Sequence, residues 1–308
     1  MFEKFCKQLH SKKPFITVEI SPPHGASIKP IIEKIESVNL QDKVTGFSVT
    51  DNPLAKLKMS GILSAIQVQQ RFQKPVIATM SMRDKNKLSL QSTLLGANDL
   101  DLRAILALTG DPAKYSDQPK VKGVLERDST LLLSIIYRLN NGFSYSNKEL
   151  NPKPKPIYPF AVSNAHAKDM KRLKKNMLKK LNYGARGIIT QPVYTVKSAK
   201  KLLEIFEEAK AESVRDTAKN AELILGQFPV ISARTANFIS DKVPGIYVPK
   251  SIIEEMDLAA MDGKGKEQEV GFNLSKEIFD NFLKLHPKMH LMTHNRFDLC
   301  TQLIGDAL

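Results

Sequence analysis

Eight short runs rich in β-branched and apolar residues recur along the chain, and no other feature constrains its fold as tightly. They are ITVEI (16–20), GFSVT (46–50), VIATMS (76–81), RAILALT (103–109), IYPFAV (157–162), GIITQ (187–191), LILGQF (223–228) and MHLMTH (289–294). Each has strand length and is bounded by polar or turn residues. The first four begin about thirty residues apart, the length of one βα unit. Between the runs, SGILSAIQVQQRF, TLLLSIIYRLNN, KDMKRLKKNMLKKL and SAKKLLEIFEEAKAE place apolar residues near i, i+3, i+4 and i+7, as helices with one buried face do. Eight strands alternating with helices in 308 residues predict a (β/α)8 TIM barrel, a single domain over 1–308. A doubly wound open sheet shows the same alternation, and the strand ends decide between the two. Glu19, Thr50, Ser81, Asp111, Asn164, Gln191 and Asn295 fall at or just after a run's C-terminal end. A barrel gathers all of them at one mouth, whereas an open sheet gathers its ligand groups at a single switch point.

Three stretches break the rhythm: the polar excursion 112–128, the Pro/Lys loop 146–156, and an extended passage 229–288 before the last strand, which contains the polar run DGKGKEQE (262–269). All three read as loops, and long loops in compact domains often serve as lids. The chain carries 46 Lys and Arg against 32 Asp and Glu, a net charge of +14 that suits an anionic ligand or a nucleic acid. Only ten of those cations are Arg, the lysines are scattered, and the interleaved aromatics of a nucleic-acid groove are missing, so no nucleic-acid partner is expected. No run approaches the roughly 18 apolar residues that cross a bilayer. The opening MFEKFCKQLHSKKPF lacks the apolar core of a secretory signal, and two cysteines, Cys6 and Cys300, build no disulfide framework. These features predict a cytoplasmic protein without a membrane partner. His286, His290 and His294 are spaced by four, but Pro287 and a strand-like run spoil the helical geometry, so no metal site is expected.

Phosphate-binding glycine loops, HExxH and GxSxG are all absent from the sequence. What remains is Glu19 inside an apolar run and Gly110-Asp111-Pro112 at a strand end. A carboxyl group among apolar neighbours can keep its proton near neutral pH and act as a general acid. A buried glutamate paired with Lys or Arg for structural reasons has the same appearance in sequence, and both readings stand at this point.

Seven pieces in a fixed order change the weight of those residues: ITVEISPP (16–23), FSVTDNPLAKLKMS (47–60), MRDKNKLSLQSTLLGA (82–97), ILALTGDP (105–112), GARGIITQPVY (184–194), VPGIYVP (243–249) and THNRFDLCTQLIG (293–305). With them the chain resembles the methylenetetrahydrofolate reductase family over nearly its whole length, in the LTGDP form of the acetogen-type branch. The resemblance implies a barrel with FAD at its C-terminal mouth that reduces 5,10-methylenetetrahydrofolate to 5-methyltetrahydrofolate, with NADH or NADPH as electron donor. That reaction feeds methionine biosynthesis or acetogenesis. It implies that Glu19 is the general acid, that Asp111 lies beside the pterin, and that Gln191 touches folate and nicotinamide. Arg296 would meet the folate's glutamate tail, a role that its fixed bidentate fork suits. For the flavin it implies Thr50, Thr79, Thr109, Gly110, Asp128, Val162, Asn164 and Lys180. The sequence departs from the family pattern in three places. Thr79 stands where many members have histidine, Thr109 where some have arginine, and Ala233 where relatives carry an aromatic against the nicotinamide. Loss of that aromatic predicts weak direct use of NADH. It also keeps open a second reading, a folate- and flavin-binding subunit that needs an accessory redox or methyltransferase partner; the expected assembly is a homo-oligomer or a complex with an accessory redox subunit.

Overall fold

The computed structural model describes residues 1–124, 126–167, 169–243 and 245–307; Pro244 of the VPGIYVP piece, Leu125 and Lys168 lie outside the described residues. The first half of the chain runs α1 (Phe2–Leu9), β1 (Phe15–Ile20), α2 (Lys29–Ser37), β2 (Gly46–Val49), α3 (Gly61–Phe72), β3 (Val76–Ser81), α4 (Lys87–Asp99), β4 (Ala104–Leu108) and α5 (Ser129–Asn140). It continues with β5 (Tyr158–Ser163), α6 (Met170–Asn182), β6 (Gly187–Pro192), α7 (Val196–Glu212), α8 (Asp216–Lys219) and β7 (Glu222–Gln227). The last part is α9 (Ala233–Lys242), α10 (Lys250–Met261), α11 (Lys264–Leu285), β8 (Lys288–Leu291) and α12 (Phe297–Ile304). The eight strands are parallel and close in sequence order, with β1 pairing both β2 and β8. This is the (β/α)8 barrel that the strand rhythm predicts.

Burial on both faces explains why the strands read as near-continuous apolar runs. Along β1, Ile16, Val18 and Ile20 face the helices, while Phe15 joins the barrel interior with Ile77, Leu106, Tyr158, Phe160, Ile189 and Ile224. Helix starts are marked chemically: Ser60, Asn86, Asp128, Asp169, Thr195 and Ser232 each accept a backbone N–H from the first turn of the following helix. The N-terminal floor is stoppered by α1, whose Phe2, Phe5 and Leu9 pack under that interior layer. Phe5 meets Phe15 edge-on at 5.0 Å between ring centres.

Seven strands lie within one residue of their predicted bounds. The eighth ends at Leu291, so that Thr293 and His294 belong to the loop at the mouth. The passage 229–288 is corrected more strongly, because it holds three helices and DGKGKEQE opens the 22-residue α11. Its polar start is the exposed first turn of a helix whose later Gly271, Ser275, Phe279 and Phe282 are buried.

Candidate functional site at the barrel mouth

Glu19 projects from β1 on the interior side, in register with Ser48 of β2. Its carboxyl has no hydrogen bond or ion pair among the described residues, and burial pushes it up to about 7. The structural alternative, a Glu–Lys or Glu–Arg pair, is thereby set aside. One layer below, Thr17 and the ring of His290 hydrogen-bond at 2.9 Å, and burial lowers the imidazole to about 4, which keeps it neutral. Glu19 opens into a cavity of about 710 Å³ walled by Leu54, Gln191, Pro192, Phe228, Arg234, Phe238, Met292 and His294, among others. The lining is mostly apolar with few polar groups, as in small-molecule sites.

The β6–β7 side of this cavity is built by the chain that follows β7. Gly245 has φ +86°, and a Cβ there would lie 2.6 Å from Gln191 Oε1 and 2.7 Å from Asn164 Cγ. Its carbonyl accepts the N–H groups of Ala165 and His166. The segment is thus strapped across the mouth, with Asn164 and Gln191 both against Gly245. Gln191 Oε1 is buried with no partner among the described residues.

Ala233 is a correction. It is 9% exposed and packs with Val230, Ala236 and Met256, away from the cavity. The aromatic wall comes instead from Phe228, which meets His294 edge-on at 5.1 Å, and from the exposed Phe238 on α9. Stacking surface is therefore present, and Ala233 gives no argument for an accessory subunit. Ala233→Phe is expected to overpack this small core and cost about 1–3 kcal/mol. Denaturant unfolding checks the loss; unchanged stability would mean that the side chain has room at this site.

The β2–β4 side is held by a polar network that sequence reasoning missed. Arg83 is buried, forks onto Asp84, and reaches the carbonyls of Asn52 and Asp111. Buried Asp51 accepts Ser81 N–H at 3.0 Å and Lys85 Nζ at 2.9 Å. Asn52, Leu54 and Ala55 all have positive φ, a strained turn for residues with side chains. Asp111 Oδ2 accepts Leu54 N–H at 2.7 Å and holds that turn, which is how Leu54 comes to face the cavity. The signal for this network lay in the DNP and MRDK pieces, where charged residues follow strand ends.

The expected flavin residues divide into two groups. Thr50 Oγ1 is buried without a partner among the described residues, and Thr79 is buried in β3. Gly110 has φ +93°, and a Cβ there would run into Ser81 Oγ and Arg83 Cβ, so the backbone packs against the end of β3 as only glycine allows. Thr109 and Asp128 are committed to α5: Thr109 Oγ1 accepts Ser129 N–H, and Asp128 caps the helix. Although burial opposes ionisation, hydrogen bonds from Lys179 and Thr130 hold Asp128 at about 2. Lys180 turns inward to donate to the Val162 carbonyl, and burial lowers it to about 8. Arg296 stands apart. It does not line the cavity, and Asp298 occupies its fork with contacts of 3.1 and 2.9 Å.

A closed parallel barrel whose C-terminal mouth holds an apolar cavity and a lone, raised carboxyl group defines a barrel of the enzyme type, with its chemistry at the strand ends. The sequence matches the family described as methylenetetrahydrofolate reductase over residues 4–307, and the chain belongs to that family. Its general activity is thus a folate-related reductase function. No curated protein matches the sequence. Among solved structures, one similar fold is "Uncharacterized protein from Clostridium thermocellum binds two copies of 5-methyl-5,6,7,8-tetrahydrofolic acid", with TM-score 0.63, 15% identity, and coverage of 99% of this chain and 98% of that one. Another is the EDTA monooxygenase (EmoA) from Chelativorans sp. BNC1, with TM-score 0.57, 10% identity, and coverage of 96% and 92%. At these identities the likeness establishes the barrel fold alone.

Proposed function

We propose that this chain reduces 5,10-methylenetetrahydrofolate to 5-methyltetrahydrofolate with FAD bound at the barrel mouth and NADH or NADPH as electron donor. The observation that carries the reading is Glu19, an acid with no counter-ion among the described residues, held at about 7 at the base of an apolar cavity. Membership of the family and the methyltetrahydrofolate bound by the Clostridium thermocellum protein support the substrate class.

The residues present fit a flavin. Thr50 Oγ1 and Gln191 Oε1 are buried acceptors without partners among the described residues. Lys180 places a half-buried cation at the end of β5. Thr50, Thr79, Gly110, Val162, Asn164 and Lys180 would hold the group, with Thr109 and Asp128 shaping the α5 wall behind it. Reduced flavin, when bound, supplies the hydride that the methylene carbon requires. The chain supplies the proton. Glu19 donates to a nitrogen of the five-membered ring, the bond from that nitrogen to the methylene carbon breaks, and its electron pair stays on nitrogen. The carbon is then an iminium, ready to accept hydride. Gln191 orients the folate, Asp111 keeps Leu54 against it, and the apolar lining keeps water from the cation.

Anaerobic mixing of the FAD-reconstituted protein with NADH and with NADPH tests the reading. Bleaching of the yellow flavin by one of them, followed by recovery of colour on adding methylenetetrahydrofolate, is expected. A protein that takes up no flavin, or whose reduced flavin is not reoxidised by the folate, overturns it.

A further inference from the structure

Arg296 is poorly placed to hold a substrate's carboxylates, because Asp298 already fills its fork and the pair lies outside the cavity. Another arginine has the opposite properties. Arg234 lies in the first turn of α9, exposed at the cavity wall, with no hydrogen bond or ion pair among the described residues. It is the one Lys or Arg among the described residues lining that cavity. Two carboxylates contacting α9 are engaged elsewhere: Glu267 accepts the Ala233 N–H at 2.8 Å, and Asp257 accepts from Asn237 Nδ2 at 3.0 Å.

Phe238 follows Arg234 by four residues, so both side chains share one face of α9, and both line the cavity. Phe238 is 56% exposed, a large apolar surface in contact with water. Helix α9 therefore presents a cation and an aromatic face side by side, with Glu19 at the base of the same cavity. The positive end of the helix adds to the pull on an anion near Arg234. The ligand that matches is elongated. It has a ring system at the acid, an aryl group along Phe238, and a carboxylate at the rim.

We infer that Arg234, with Phe238 beside it, recognises the carboxylate-bearing aryl-amide tail of the substrate, in place of Arg296. The inference rests on the folate reading above and names the residue that selects its anionic end. An arginine fork can take a carboxylate through two parallel N–H donors, whereas lysine offers a point charge.

Equilibrium binding of 5-methyltetrahydrofolate, and of the same pterin-aryl compound without its glutamate, tests this in the full chain, the variants Arg234→Gln, Arg234→Lys and Arg296→Gln, and Phe238→Ala. Loss of one charged hydrogen-bonded contact corresponds to roughly 10- to 100-fold in affinity. Arg234→Gln is expected to show that loss for the glutamate-bearing ligand and none for the truncated one, with Arg234→Lys intermediate and Arg296→Gln close to the unmodified protein. Phe238→Ala is expected to weaken both ligands, since both keep the aryl ring. Equal loss for both ligands in Arg234→Gln, or a loss confined to Arg296→Gln, overturns the assignment while leaving the folate reading intact. Binding of neither ligand by the unmodified protein overturns the folate reading and this inference together.

Discussion

Glu19→Gln is expected to lower methylenetetrahydrofolate reduction by at least about 10²-fold, the usual scale of general acid catalysis, while flavin binding and flavin reduction persist. Glutamine keeps the shape of the side chain and removes the proton it can give. Separate measurement of the two half-reactions checks this, and normal folate turnover by the variant would end the assignment. The same variant has a stability signature. Folded Glu19 holds its proton to about 7, against 4.5 as the ordinary value. Between those two pH values the folded chain binds a proton that the unfolded chain has released, so stability falls as pH rises through that window and stays low above it. Glutamine escapes the penalty. The variant should match the unmodified protein near pH 4.5 and exceed it near pH 8 by up to about 3 kcal/mol. Urea unfolding at the two pH values reads the difference. Equal stability at both would show that the carboxyl is solvated.

Lys180→Met is expected to weaken FAD binding by roughly 10- to 100-fold, the worth of a charged hydrogen bond to a phosphate. Lys179→Met should change it far less. The two lysines are neighbours, but Lys179 is neutralised by Asp128 at 2.7 Å, whereas Lys180 is half-buried against a carbonyl. Burial disfavours the charged form of Lys180, so methionine should leave the folded state as stable or more so at neutral pH. Flavin titration followed by thermal unfolding separates the two effects. Full flavin affinity in Lys180→Met would make this lysine a packing residue.

The barrel was legible because its evidence is local. β-branched runs of strand length and the helical spacing between them each follow from neighbouring residues. Glu19 was legible for the same reason, since a carboxylate within ITVEI contradicts its surroundings. The cavity wall was not. Phe228 and Phe238 come together only because α9 folds back over the mouth, and no spacing in the sequence encodes that. Ala233 misled because a matched position fixes where a residue stands along the chain and not which way it points. At the first position of α9 it points into the small core with Val230 and Met256. For Arg296 the matched position did not show that Asp298, two residues on, is a rival for its fork. In 229–288, α11 was hidden by glycine and lysine in its first turn, which carries little of the apolar pattern that identifies the rest of that helix.

The stoppered floor has a kinetic consequence. With Phe2, Phe5 and Leu9 under the layer of Phe15, Tyr158 and Phe160, the barrel is a vessel with one opening. Whatever sits in that opening also stands between Glu19 and bulk water. Under the proposed function, the acid then carries a single proton per visit and recharges only once the mouth is vacated. Reprotonation belongs to the interval after product departs, and buffers can hasten it there but not during the chemical step.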